Sequence, residues 1–289
     1  MKPLNTVKLP HVNQPIGVFD SGLGGLSIYK CLASMLPNEQ LFYVADNAYA
    51  PYGCKSEEEI NQRVAQVCRW LINQNVKAIV VACNTATASA IDHLREQYAI
   101  PIIGVEPAIK PAVATSKTQK IGILVTRATA YNERFRQLVA RYKADSDVII
   151  QPCPGLVDLI ESGQHQSNEC KQLLNNYVTP LVQSGVDTIV LGCTHYPFLA
   201  NIIQEIVGEK VQLIETAKPV TEQLIRQLTN RHLLNRTDKI TENQYFASSP
   251  NANLAMLASQ LINQKIAQIQ PFVPTKSVAS DNSQSHLDV

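Results

Sequence analysis

Short apolar runs rich in β-branched residues alternate with longer amphipathic stretches along almost the whole chain. The runs Ile16–Phe19, Leu41–Ala45, Ala78–Ala82, Ile102–Val105, Ile121–Val125, Val148–Gln151, Thr188–Leu191, Val211–Ile214 and Tyr245–Ala247 predict strands. Most are continuously apolar, the pattern of strands covered on both faces. Between them the apolar period is helical. Ser56 with Glu59 forms a capping box ahead of Ile60, Val64, Val67 and Leu71. Ser249–Pro250 predicts an N-cap and first-turn proline for a helix carrying Leu254, Leu257, Ala258, Leu261 and Ile262. Pro180 predicts a kink or a boundary in the helix around 177–182. Such alternation gives an α/β fold with parallel sheets flanked by helices.

The pattern also repeats. Ile16-Gly17-Val18-Phe19 returns as Ile121-Gly122-Ile123-Leu124. The run Ala78–Thr85 (AIVVACNT) returns as Thr188–His195 (TIVLGCTH), which puts Cys193 110 positions after Cys83. Ile102–Ala108 (IIGVEPA) returns as Val211–Ala217 (VQLIETA). Three strand ends recurring in order at nearly constant offset predict two similar α/β halves.

Composition narrows the classes. The chain has 289 residues, enough for two domains, and is 45% hydrophobic, which supports a sizeable core. Lys and Arg number 25 against 24 Asp and Glu, a net charge of +1. That balance lacks the basic footprint of a nucleic-acid or membrane-surface binder. The longest apolar stretch, Ala78–Cys83, is far short of the roughly 18 residues of a spanning helix. The opening residues lack the apolar core of roughly 7–15 residues that a secretory signal needs, so a cytoplasmic protein is expected. Residues 1–14 read as a loose extension and 271–289 as a polar disordered tail. The seven cysteines have no metal-type spacing, and buried thiols are the default expectation.

In parallel α/β sheets, ligands bind beyond the carboxyl ends of the strands. Those ends carry Asp20-Ser21-Gly22, Asp46-Asn47, Cys83-Asn84-Thr85, Thr126 to Thr129, and Cys193-Thr194-His195. The set holds no lysine for a Schiff base and, along the sequence, no carboxylate–histidine cluster with metal spacing. Gly22-Leu23-Gly24-Gly25 suggests a dinucleotide loop, but the third glycine of that fingerprint falls on Ser27. A turn that permits close packing is the simpler reading. Cys83 and Cys193 end equivalent strands, each before a predicted helix start, where a thiol pKa falls below about 8.5. Two thiols approaching one carbon from opposite sides could invert it, one removing and the other delivering a proton. Two buried structural cysteines remain the plain alternative at this point.

At these residues the chain resembles the glutamate racemases, cofactor-independent two-cysteine enzymes of the aspartate/glutamate racemase superfamily. The resemblance is carried by IGVFDSGLGGL (Ile16–Leu26), DNAYAPYG (Asp46–Gly53), VVACNTATA (Val80–Ala88), PIIGVEPAIKPA (Pro101–Ala112), LVTRAT (Leu124–Thr129) and VLGCTHYPFL (Val190–Leu199). It implies interconversion of L- and D-glutamate, without cofactor or metal, supplying D-glutamate for peptidoglycan and so for cell shape. It implies that Cys83 and Cys193 are the acid/base thiols, with Asp20 and His195 as their polar partners. Glu161, in CPGLVDLIESG, would act on the Cys193–His195 side. Substrate would be held by Asp20, Ser21, Pro51, Tyr52, Gly53, Asn84, Thr85, Thr126, Thr129, Thr194 and His195. The expected architecture is two flavodoxin-like domains, related by a pseudo-twofold, with the site in their cleft. The first would comprise 15–112 plus 218–270 and the second 113–217. The expected partner is glutamate, with a homodimer possible and no nucleic acid or membrane.

Bland readings accompany these roles: Asp20 and Asp46 as helix caps, His195 as a structural turn residue, Glu161 as a solvated charge. Glu215-Thr216-Ala217 and Ala45-Asp46-Asn47 depart from the family's common Asp-Ser-Ala and Gly-Asp-Thr. An aspartate racemase, a Cys193–His195 hydrolase and a non-catalytic anion-binding module are the rival functions.

Overall fold

The computed structural model describes residues 10–237 and 242–273. Ten strands follow in chain order: β1 (Ile16–Asp20), β2 (Leu41–Ala45), β3 (Ala78–Val81), β4 (Ile102–Gly104), β5 (Lys120–Val125), β6 (Asp147–Pro152), β7 (Thr188–Leu191), β8 (Gln212–Ile214), β9 (Gln244–Ala247) and β10 (Gln270–Pro271). They form two sheets, in the orders β10-β9-β2-β1-β3-β4 and β6-β5-β7-β8, and every pairing is parallel. The block β2-β1-β3-β4 has the same topology as β6-β5-β7-β8. The three sequence repeats fall on β1/β5, β3/β7 and β4/β8, so they mark like places in like sheets.

Among the described residues eleven α-helices accompany them: α1 (Leu26–Met35), α2 (Glu57–Asn73), α3 (Asn84–Gln97), α4 (Ile109–Thr115), α5 (Arg127–Tyr131), α6 (Glu133–Tyr142), α7 (Leu156–Glu161), α8 (Asn168–Gln183), α9 (Ala200–Val207), α10 (Ala217–Asn230) and α11 (Ala252–Ile262). Successive strand residues face opposite sides, and both sides are dry. Ile16 and Val18 of β1 pack under Leu26, Tyr29, Leu224 and Leu257, from α1, α10 and α11. Phe19 packs on the other side with Ile60, Val64, Val67, Ala90 and Ile91, from α2 and α3. In the second sheet Leu124, Ile189 and Leu191 meet α7, α8 and α9, while Ile121, Ile123, Val125 and Val190 meet α4 and α6.

Several local expectations are corrected. Asn251, not Ser249, caps α11, its side chain accepting from the Leu254 N–H. Pro180 is not a boundary, for it sits inside α8, which runs on to Gln183. Asn176, whose carbonyl loses its partner to the proline, is exposed, so water can satisfy it. The chain is ordered past the expected start of the tail: Pro271 ends an edge strand and Phe272 buries its ring against Trp70. At the other end Val12 accepts from the buried Lys77 ammonium, so the expected extension is tied down from there. The rest of both terminal segments, 1–9 and 274–289, lies outside the described residues. Of the five cysteines read as buried thiols, Cys68, Cys153 and Cys170 are buried, but Cys31 is half-buried and Cys54 exposed. No described helix is long and apolar enough to cross a membrane.

Candidate active site

Strand order reverses between β2-β1 and β3, and again between β6-β5 and β7, and these switch points are where open α/β sheets bind ligands. Asp20 and Cys83 stand at the first, Thr126 and Cys193 at the second. Hydrogen bonds join the two sets. Thr194 Oγ1 donates to Asp20 Oδ2 (3.2 Å), and Ser27 Oγ donates to the Thr194 carbonyl (2.8 Å). The Leu23 N–H donates to Glu161 Oε1 (2.6 Å). The hydroxyls of Thr85, Thr126 and Thr129 form a triangle with sides of 2.9, 3.0 and 3.2 Å. Thr126 also caps α5.

The glycine loop explains how these groups come so close. A Cβ at Gly22 would overlap the Glu161 carboxylate, one at Gly24 the His195 ring, and one at Gly25 the Asp20 side chain. None of the three has positive φ, so what they provide is space. At Gly22 and Gly24 that space is filled by side chains of the second half, and at Gly25 by Asp20 of the first.

The two thiols have different surroundings. Cys83 is the N-cap of α3, and the Ala86 N–H donates to its sulfur at 3.4 Å. Its Sγ lies 3.7 Å from Ser21 Oγ. The expected low pKa does not follow: burial and the nearby Asp20 carboxylate push the thiol up to about 12, outweighing the helix N–H and Ser21. Asp20 is itself raised to about 6 by burial, although His195 and the Gly22 N–H pull the other way. Asp20 Oδ1 accepts from Gly22 within a tight turn, while the N-cap position of α1 is Gly25.

Cys193 has no α-helix start behind it. The chain turns through His195 into a short 3-10 helix, Tyr196–Leu199, before α9. His195 Nδ1 lies 3.7 Å from Cys193 Sγ, and its Nε2 is 2.6 Å from Glu161 Oε1. Burial disfavours the imidazolium, but bonds to Cys193 and Glu161 prevail and hold His195 well above its ordinary range. Tyr196 supports the turn with its buried hydroxyl near the Val125 and Cys153 carbonyls.

The fold thus gathers Asp20, Ser21, Cys83, Asn84, Thr85, Thr126, Thr129, Glu161, Cys193, Thr194 and His195 where the carboxyl ends of the two sheets meet. Pro51 and Glu161 also line a cavity of about 740 Å³ beside them, walled by α7, α11 and the loop after β2. Tyr52 is buried with its hydroxyl on Asp46, so it offers that hydroxyl to no ligand. Asn84 Oδ1 is a buried acceptor without a hydrogen-bond partner. Ligating atoms of Asp20, Glu161 and His195 lie within 4.8 Å of one another, a set able to hold a cation that spacing along the sequence does not show. Sequence reasoning also missed Ser27 and Leu23, which join the halves through a hydroxyl and a backbone N–H. Only the position of Ser27 in the glycine loop hinted at either.

A sequence model described as Asp/Glu/Hydantoin racemase matches residues 16–224. The chain belongs to that family, and it is an amino-acid racemase with two flavodoxin-like sheets. Its relatives include the glutamate racemase of Herpetosiphon aurantiacus, 46% identical over 85% of this chain and 96% of that one. That of Ralstonia nicotianae is 50% identical over 76% of this chain and 79% of its own length. The Francisella tularensis glutamate racemase, solved with D-glutamate, superposes with a TM-score of 0.81 at 32% identity, covering 91% of this chain and 98% of that one. The Escherichia coli enzyme, solved with L-glutamate and the activator UDP-MurNAc-Ala, gives 0.80 at 28% identity over 91% and 99% of the two chains.

Proposed function

We propose that this protein is a cofactor-independent glutamate racemase working through two bases, Cys83 and Cys193. The observation that carries the reading is the pairing of thiols at equivalent strand ends with unlike proton partners. One thiol removes the Cα proton of glutamate and the other delivers a proton to the opposite face, so the configuration inverts. In the unliganded enzyme Cys83, held as a thiol, is the donor. On the other side His195 and Glu161 stand behind Cys193. Each turnover leaves a proton on the thiol that acted as base and none on the one that donated, and exchange with solvent restores the starting state; the roles reverse with the enantiomer bound.

The remaining polar groups suit a small amino acid with two carboxylates. The hydroxyls of Thr85, Thr126 and Thr129 and the Ser21 hydroxyl supply donors for carboxylate oxygens, which need no excess of basic side chains. The free Asn84 Oδ1 and the Asp20 carboxylate are acceptors for the ammonium group. Hydrogen bonds across the cleft exclude water while negative charge develops at Cα. We read the two sheets as two domains, with the chain crossing between them after β4 and again after β8. The D-glutamate formed serves peptidoglycan synthesis in the cytoplasm. The bacterial relatives support that role.

Polarimetry tests the substrate. L- or D-glutamate should each relax to a racemic mixture, and aspartate should turn over at least about 10²-fold more slowly. Equal or faster turnover of aspartate would replace this reading with an aspartate racemase.

A further inference from the structure

Asp46 follows β2 and opens a 3-10 turn, Asn47–Tyr49, yet its carboxylate caps nothing. Both oxygens are engaged elsewhere. Arg63 Nη2 donates to Oδ1 at 2.6 Å and Arg63 Nε to Oδ2 at 2.9 Å, a bidentate pair. Tyr52 donates its hydroxyl to Oδ2 at 2.6 Å. The guanidinium lies over the Tyr49 ring, 3.6 Å from its centroid. Its Nη1 donates to Gln66 one turn further along α2. Asp46 is fully buried and Arg63 is 9% exposed. One side chain from a 17-residue helix with a complete capping box therefore grips the loop at Asp46 and Tyr49 and, through Asp46, at Tyr52.

The next residue, Gly53, is where the loop meets the other half of the site. A Cβ on Gly53 would lie 3.0 Å from Thr126 Cβ, so the backbone here is packed against the threonine triangle. We infer that Arg63 is a positioning residue for racemisation, fixing the segment Asp46–Gly53 against Thr126 through its forked contact with Asp46 and its stack on Tyr49. With both carboxylate oxygens of Asp46 and the guanidinium fork engaged, Arg63 acts through the loop and not as a substrate anchor. This inference rests on the reading of residues 51–53 as part of the substrate site. Lysine has one ammonium and no fork, so it can neutralise Asp46 without reproducing the geometry.

The test compares Arg63→Lys with the double variant Arg63→Met/Asp46→Asn, which leaves no unpaired buried charge and so protects folding. Both should melt within a few degrees of the parent. In both, the KM for glutamate should rise about tenfold or more while kcat falls less. Amide hydrogen exchange over residues 47–54, measured without any substrate, should accelerate about tenfold in the same variants. Folded variants with unchanged KM would reduce Arg63 to a stability role, and unchanged exchange would overturn the positioning claim. If the parent protein fails to racemise glutamate while loop exchange still responds, the substrate reading falls and the restraint by Arg63 stands.

Discussion

The strand-end segments carrying Cys83 and Cys193 share a place in their sheets and differ in nearly everything around the sulfur. Cys83 opens a 14-residue helix, touches a backbone N–H and a hydroxyl, and has a carboxylate rather than a cation nearby. Cys193 opens a turn and has an imidazole at 3.7 Å, itself bonded to a carboxylate. Duplication of the βαβ framework sets where the two thiols stand. The neighbours of each sulfur come from its own half, Asp20, Ser21 and the Ala86 N–H about Cys83 and His195 with Glu161 about Cys193, while Thr194 and the Leu23 N–H tie Asp20 and Glu161 to the opposite half.

The strongest break of this comparison is to remove either sulfur. Cys83→Ser and Cys193→Ser should each lower racemisation at least about 10³-fold, measured by polarimetry in both directions. A residual rate near that of the parent in either variant would leave one thiol without a role.

Glu161→Gln probes the second surroundings alone and should reduce kcat/KM about 10²-fold. Because the two enantiomers are equal in energy in water, kcat/KM must fall equally in both directions. The asymmetry appears instead in the isotope effect with Cα-deuterated substrate. It should grow for the enantiomer deprotonated by Cys193 and shrink for the other, and equal changes would contradict the division of labour.

Asp20→Asn separates the two sides through pH. Asp20 is raised from 3.8 to about 6, so its protonated form stabilises the fold fully below 3.8 and that contribution is lost as pH rises through 6. Chemical denaturation at pH 4 and pH 8 should show the variant gaining on the parent at the higher pH, by on the order of 2 kcal/mol. His195, also raised, contributes below about 6.5 and loses that contribution only at more alkaline pH. A variant that gains nothing at pH 8 would show that Asp20 is not burdened by burial.

Gly24→Ala presses a methyl group into the His195 ring and should cost about tenfold in kcat with the fold retained. Full activity would mean that the halves do not meet as closely as the Gly24–His195 contact requires.

The halves were legible because their strands are continuous apolar runs and because the same polar endings recur 110 positions apart. Each of the nine predicted strands lies within one or two residues of its observed ends, and the capping box of Ser56 and Glu59 closes in both directions. What escaped is what depends on contacts between distant segments. The Cys83 pKa follows from enclosure, which outweighs the helix-start effect that local sequence suggests. Asp46 looked like a cap because its partner, Arg63, stands 17 residues on, between Ile60 and Val64 beside the apolar stripe of α2. The order of 271–273 comes from a phenylalanine finding Trp70, which tail composition conceals.

In the proposed mechanism two thiols, one on each face, divide one proton transfer. Glutamate of one configuration should be converted in deuterium oxide, and Cα deuterium followed by NMR and mass spectrometry in the first few per cent of reaction. Two bases predict deuterium in every product molecule and protium retained in the unreacted substrate. Product that keeps the substrate's own Cα proton would contradict the account and assign both transfers to a single base.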